Sequence, residues 1–195
     1  MKKVFYININ DVDATGIDAI SLVDVPAVQR NFLCFSEDRP VKLKFDASKH
    51  IITGVVCLAD TPIYRNNEKY GEYWVVFTKE TIQKMVEKFS RDGLFKSVNL
   101  QHDDNKFVDG IYMVESYLTD KSRGISPIEF NDIPDGSWIA SYKVDNLELW
   151  DEIVNSGKLN GFSLQGMFEL NPERFESEAK EEDETFDEWI DKYID

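Results

Sequence analysis

The sequence predicts a mainly β fold with flanking helices, an α+β architecture. Seven or eight strand-like segments stand against two helical ones, and they do not alternate regularly with helices as a parallel α/β sheet requires. Several strands show period-two alternation, as in VKLKFD with Val41, Leu43 and Phe45, while both helical stretches carry a capping residue and a stopping glycine. No internal repeat interrupts this pattern. Within this class, a largely antiparallel barrel and a mixed sheet both fit the residues.

KVFYINI reads as a short opening strand, followed by the loop-like NDVDATG and by AISLVDVPAV, which Pro26 confines to an extended or turn role. IITGVVCLA, from Ile51 to Ala59, is continuously apolar and reads as a buried strand, with Gly54 as a candidate bulge. EYWVVFT is another strand. Thr78 then caps the helix TKETIQKMVEKFSRDG, whose Ile82, Met85, Val86 and Phe89 share one face and which Gly93 stops. SVNLQH and FVDGIYMVESYLT follow as strands joined by the polar turn DDNK, then SWIASYKV, then the helix DNLELWDEIVNSG with Asp145 as cap and Glu148 reciprocal to it. GFSLQGMFEL is the last extended stretch.

With 195 residues and 42% hydrophobic content the chain can bury one substantial core. A formal charge of -15 without a concentrated basic patch argues against direct nucleic-acid binding and favours basic protein partners. Cys34 and Cys57 fit neither a disulfide framework nor a zinc knuckle and read as reduced core residues. No signal-peptide pattern and no apolar run of membrane-spanning length is present, which suggests a soluble cytoplasmic protein without a membrane partner. No H-E-x-x-H motif, calcium loop, Walker loop or dinucleotide fingerprint occurs, and neither a metal nor any other cofactor is expected.

The chemistry-bearing candidates are His102, at the end of the strand VNLQH, and Ser163, inside the glycine-flanked GFSLQG. A histidine can withdraw the proton that an unactivated hydroxyl holds at neutral pH, provided that folding brings the two within hydrogen-bond reach. GFSLQG does not match the nucleophile elbow G-x-S-x-G, since its second glycine falls one position late and its residues read as extended. Alternation sets Ser163 on the face opposite Phe162 and Leu164. The bland readings are a surface histidine at a strand end and glycines that merely serve a bend.

SLVDVPAV, ITGVVCLADTPIYR, NLQHD, VDGIYMVESYLTD, GSWIASYKV, ELWDEI and GKLNGFSLQGMFE occur in an order that resembles the XkdF-like group of phage prohead proteases, relatives of the assemblin-type capsid maturation proteases. The resemblance runs from about Ile17 to Leu170. It implies a closed antiparallel β-barrel surrounded by helices, and a serine endopeptidase that cleaves scaffold and other capsid proteins inside the immature head. It further implies His102 as general base and Ser163 as nucleophile, no cofactor, scaffold and major capsid proteins as substrates or assembly partners, a homodimer, and action in the host cytoplasm within the assembling prohead.

For the group that orients the histidine, Glu115 is the acidic candidate, because it interrupts the apolar run IYMVESYL, where an unpaired inward carboxylate is costly. It fits equally well facing solvent. Asp103 adjoins His102 and so points to the opposite face of a strand, and Glu169 lies six residues from Ser163, about 20 Å along a straight strand. A dyad without a third member is also open. Arg123 in the SRG loop is a weak candidate for a positive charge near the reaction.

Residues 1–170 read as the protease domain and 171–195 as an acidic tail, which holds eleven acidic and three basic residues. Phe186, Trp189, Ile190, Tyr193 and Ile194 recur there at helical spacing and suggest a short amphipathic docking element. The competing function is a catalytically silent capsid-assembly or scaffold-binding protein that retains the protease barrel.

Overall fold

The computed structural model describes residues 3–9, 15–24 and 43–171. Pro26, Cys34, most of the NDVDATG loop and the terminal docking element lie outside the described residues. The chain forms β1 (Val4–Asn8), β2 (Gly16–Val23), β3 (Lys44–Asp46), β4 (Ile51–Cys57), β5 (Ile63–Asn67) and β6 (Gly71–Val76). Helix α1 (Lys79–Arg91), β7 (Val98–Leu100), β8 (Ile111–Leu118), β9 (Trp138–Val144), α2 (Leu147–Trp150), β10 (Gly161–Met167) and β11 (Glu169–Asn171) follow.

The expected closed antiparallel barrel is not what these strands build. They form three open sheets, in the orders β11-β1-β6-β5, β10-β2-β7 and β3-β4-β9-β8. Most pairs are antiparallel, but β1 runs parallel to β6 and β2 parallel to β7. Closure needs one continuous ladder with matched tilt and stagger. Here GFSLQGMFEL does not continue as a single strand: β10 pairs with β2, and after Phe168 the chain crosses to pair β11 with β1 in another sheet. Single-strand periodicity cannot register that switch, and β5 also went unread because its TPIYRNN lacks a run of apolar alternation.

One apolar core draws on all three sheets and both helices, including Ile20, Leu22, Ile52, Ile82, Met85, Phe89, Trp138, Tyr142, Trp150 and Phe162. Helix α1 forms as expected. The Thr78 hydroxyl accepts from the Thr81 N–H at 3.2 Å, Ile82, Met85 and Phe89 are buried and Val86 is half-buried. The Thr81 hydroxyl donates to the Ile7 carbonyl at 2.9 Å, which ties the helix to β1.

Helix α2 begins one residue later than expected. Asn146, not Asp145, is the cap, and its Oδ1 accepts from the Leu149 N–H at 3.0 Å. The Asp145 carboxylate is engaged by Lys143 at 3.1 Å, and the Gly110 carbonyl accepts the N–H groups of both Asp145 and Asn146. After four α-helical residues the turn widens to a π-helix over Asp151–Asn155. Gly54 also has a different purpose from the one expected. The register shift in β4 falls between Val55 and Cys57, whereas a Cβ at Gly54 would come within 2.6 Å of Leu43 and 3.1 Å of Phe162. The glycine lets β4 approach the strand that carries Ser163.

Candidate active site

Strand β2 lies at the centre of its sheet and all of its residues but Asp18 are buried. Ser21 in its middle is fully buried, as is Asn99 on β7. Polar side chains at such positions require partners, since an unmade hydrogen bond there costs about 1–3 kcal/mol. Strand register supplies them: Ser163 on β10 stands opposite Ser21, and Ser21 stands opposite Asn99. A row of three polar residues therefore crosses the sheet, with Gln165 next to it on β10.

His102 closes over this row from the end of β7. The chain leaves the strand through two consecutive non-glycine residues in the left-handed region, Gln101 with φ 56° and His102 with φ 59°. Each left-handed residue costs about 1–2 kcal/mol. The surroundings hold the conformation: the Gln101 N–H donates to the Leu22 carbonyl at 2.9 Å, the Asp103 N–H to the Leu100 carbonyl at 3.0 Å, and the Lys106 N–H to the Asp103 carbonyl at 2.9 Å. Strain concentrated at one residue pair in an otherwise regular turn is a common mark of a functional site. Its effect here is to fold the imidazole back across the sheet.

The imidazole then bridges two serines. Its Nε2 lies 3.0 Å from Ser163 Oγ and its Nδ1 2.9 Å from Ser21 Oγ. The Ser21 hydroxyl donates to Asn99 Oδ1 at 2.5 Å, and Asn99 Nδ2 donates to Gln165 Oε1 at 2.5 Å. Gln165 Nε2 in turn donates to Asp104 Oδ1. Because the Ser21 proton is directed at Asn99, the Ser21 oxygen has lone pairs to accept from Nδ1–H. That tautomer leaves Nε2 as an acceptor for the Ser163 proton. Every donor in the series points the same way, from Ser163 toward Asp104.

Gly166 sets the position of β10 on β2. A Cβ there would lie 2.0 Å from the Gly16 carbonyl oxygen, and the pairing shifts register between Gln165 and Gly166. Only glycine admits this backbone contact.

Glu115 is not brought to the histidine. On β8, in the β3-β4-β9-β8 sheet, it is exposed, and its Oε2 accepts from the Ser141 hydroxyl at 2.5 Å. Asp103 turns away from the imidazole: its carboxylate accepts from the Asn105 N–H at 3.0 Å and pairs with Lys106 at 3.0 Å. Those contacts hold its pKa below the ordinary aspartate value, the Asn105 hydrogen bond most strongly. Glu169 belongs to β11, in register with Asn8 of β1. Arg123 sits in the exposed turn Lys121–Arg123 with its guanidinium beside Asp120. Sequence reasoning missed Ser21, Asn99 and Gln165. The available signal was a polar residue breaking each of three apolar strands, AISLV, SVNL and GFSLQG.

A profile of the family described as "Putative phage serine protease XkdF" matches residues 39–171. The chain belongs to this XkdF family of phage serine proteases. No curated protein and no solved structure shows a significant match. The XkdF match spans β3 through β11, and with them Asn99, His102, Ser163 and Gln165, whereas Ser21 precedes it on β2. Among the described residues of this XkdF-family protein, no cluster of three or more histidine, cysteine or acidic side chains is arranged to hold a metal ion, and no helix is long and apolar enough to cross a membrane.

Proposed function

We propose that the protein is a serine endopeptidase in which Ser163 is the nucleophile and His102 the general base, and that it cleaves scaffold and other capsid proteins during prohead maturation. The observation that carries this reading is the 3.0 Å contact between His102 Nε2 and Ser163 Oγ, with Nδ1 held by Ser21. Family membership supports the reaction class.

In this mechanism Ser163 Oγ bonds to the carbonyl carbon of the scissile peptide as Nε2 accepts its proton. The resulting imidazolium donates Nδ1–H to Ser21 and returns the Nε2 proton to the departing amine. Water then gives a proton to Nε2 as its oxygen bonds to the acyl carbon, and the bond to Ser163 Oγ breaks as Nε2 returns that proton to the serine, releasing the carboxylic acid. Ser21 and Asn99 take the positioning role that the sequence suggested for Glu115. They hold the ring and its tautomer by neutral hydrogen bonds within a buried sheet.

Co-expression of a phage scaffold protein with wild type, Ser163→Ala and His102→Ala, read by intact mass, tests the assignment. Specific products made by wild type and absent with both variants are expected. Products that persist in either variant reject the pair. Intact scaffold with wild type under assembly-competent conditions favours a silent assembly factor. A homodimer is part of the same proposal, and light scattering of the purified protein checks it.

A further inference from the structure

A cavity of about 290 Å³ opens beside Ser163 and is walled mainly by Ile7, Ile63, Val75, Phe77 and Phe168. Two features connect it with the nucleophile. Strand β10 ends its sheet, and among the described residues its ladder runs only to β2. Phe162 and Leu164 also border the cavity, although they point to the face opposite Ser163. A space touched by both faces of a strand lies along its edge. An extended peptide laid on that edge pairs its backbone with β10 and presents alternate side chains to neighbouring pockets.

The chemistry of the walls selects the side chain. An apolar cavity of roughly 150 Å³ accommodates a benzene ring, so the space here suffices for a leucine, methionine or phenylalanine side chain. Cys57 lines the cavity as a neutral thiol, since burial pushes its pKa far above the ordinary value. The charged wall residue is Arg65, half-buried, whose guanidinium donates to the Tyr64 carbonyl at 2.9 Å. It repels a substrate lysine or arginine. A carboxylate would gain from Arg65 but lose its hydration against the apolar walls.

We propose that this cavity receives a large apolar side chain from the substrate residue that bears the scissile carbonyl. The inference rests on Ser163 being the nucleophile, and the test separates the two. Purified full-length protein is treated with peptidyl diphenyl phosphonates that differ only in that side chain: alanine, leucine, phenylalanine, lysine or glutamate. Ser163 Oγ bonds to phosphorus as phenoxide departs, and the hydroxyl proton, passed through His102, leaves on phenol. Labelling by a small alkyl fluorophosphonate, which has no such side chain, serves as the reference rate for each protein.

Leucine and phenylalanine phosphonates are expected to label Ser163 at least about tenfold faster than the lysine and glutamate ones. Val75→Phe is expected to narrow the space and erase the advantage of leucine and phenylalanine over alanine. Ile63→Ala is expected to shift preference from leucine toward phenylalanine, so the proposal stays testable if the first variant folds poorly. Fluorophosphonate labelling of Ser163 with lysine or glutamate equal to or faster than leucine overturns the subsite and leaves the nucleophile intact. Absence of fluorophosphonate labelling in folded wild-type protein overturns the nucleophile and the subsite with it.

Discussion

Two of the three sheets carry a row of hydrogen-bonding side chains in cross-strand register, and only one of them has the makings of a catalytic centre. In the first, Ser163, Ser21 and Asn99 align across β10, β2 and β7. In the second, Thr53, Ser141 and Glu115 align across β4, β9 and β8, with Ser141 bonded to Thr53 at 2.8 Å and to Glu115 at 2.5 Å. Both rows centre on a fully buried serine. The second even has the carboxylate that sequence reasoning sought. What it lacks is an imidazole at its serine, whose partners are the Thr53 hydroxyl and the Glu115 carboxylate. The first row has an imidazole, delivered by a turn with two left-handed residues, and a cavity alongside. What distinguishes the two rows is the turn that brings an imidazole across one of them, not the rows themselves.

The largest expected effect separates Ser163, at the edge-strand end of the first row, from Ser141, at the centre of the second. Ser163→Ala is expected to reduce scaffold cleavage by at least about 10³-fold, whereas Ser141→Ala leaves cleavage within about twofold and lowers stability by about 1 kcal/mol. Initial rates and urea unfolding of both variants make the comparison. Equal loss of cleavage in both erases the distinction drawn between the rows.

Next comes the link behind the imidazole. Ser21→Ala removes one hydrogen bond to Nδ1 and is expected to lower kcat about tenfold with little change in KM, equivalent to roughly 1.4 kcal/mol of transition-state stabilisation. Ser21→Thr, which keeps the hydroxyl, should recover part of that loss. A change confined to KM would assign Ser21 to substrate binding instead.

A smaller effect is expected at Glu115. Glu115→Ala should destabilise the fold by about 1 kcal/mol through the lost Ser141 bond while cleavage stays within about twofold. A loss of tenfold or more would return the carboxylate to the orienting role that the sequence suggested.

The smallest effect concerns the loop that carries His102. The folded-state pKa of Asp103 is depressed, by the Asn105 N–H first and then by Lys106. Its stabilisation is therefore present above the unfolded pKa, about 3.9, and is lost as pH falls through the lower folded value. Hydrogen exchange at the Asn105 amide should accelerate relative to the rest of the protein as pH falls below about 4. Asp103→Asn should flatten that dependence.

Much of this molecule was legible without coordinates. Short apolar, strand-like runs located β1, β4, β6, β8 and β9, and the Thr78 cap with the stripe of Ile82, Met85 and Phe89 located α1, since these signals lie within a few residues of chain and arise from local backbone geometry and burial. His102 and Ser163 stood out because a histidine can take the proton of a serine hydroxyl, and the ordered motifs around them pointed to the protease family. Tertiary structure decided the rest. Three open sheets replace a closed barrel because β10 and β11 part company after Phe168, a choice of partner that no single strand encodes. Asn146 displaces Asp145 as a cap because Lys143 holds the aspartate, with Gly110 fixing the backbone of both residues. Ser21 rather than Glu115 faces Nδ1 because register sets Ser21 beside Ser163, 142 positions apart in sequence, while Glu115 lies in another sheet. Side-chain type is a property of the chain, but hydrogen-bond partnership depends on which strands pair and in what register, and that is settled by the burial of the whole core.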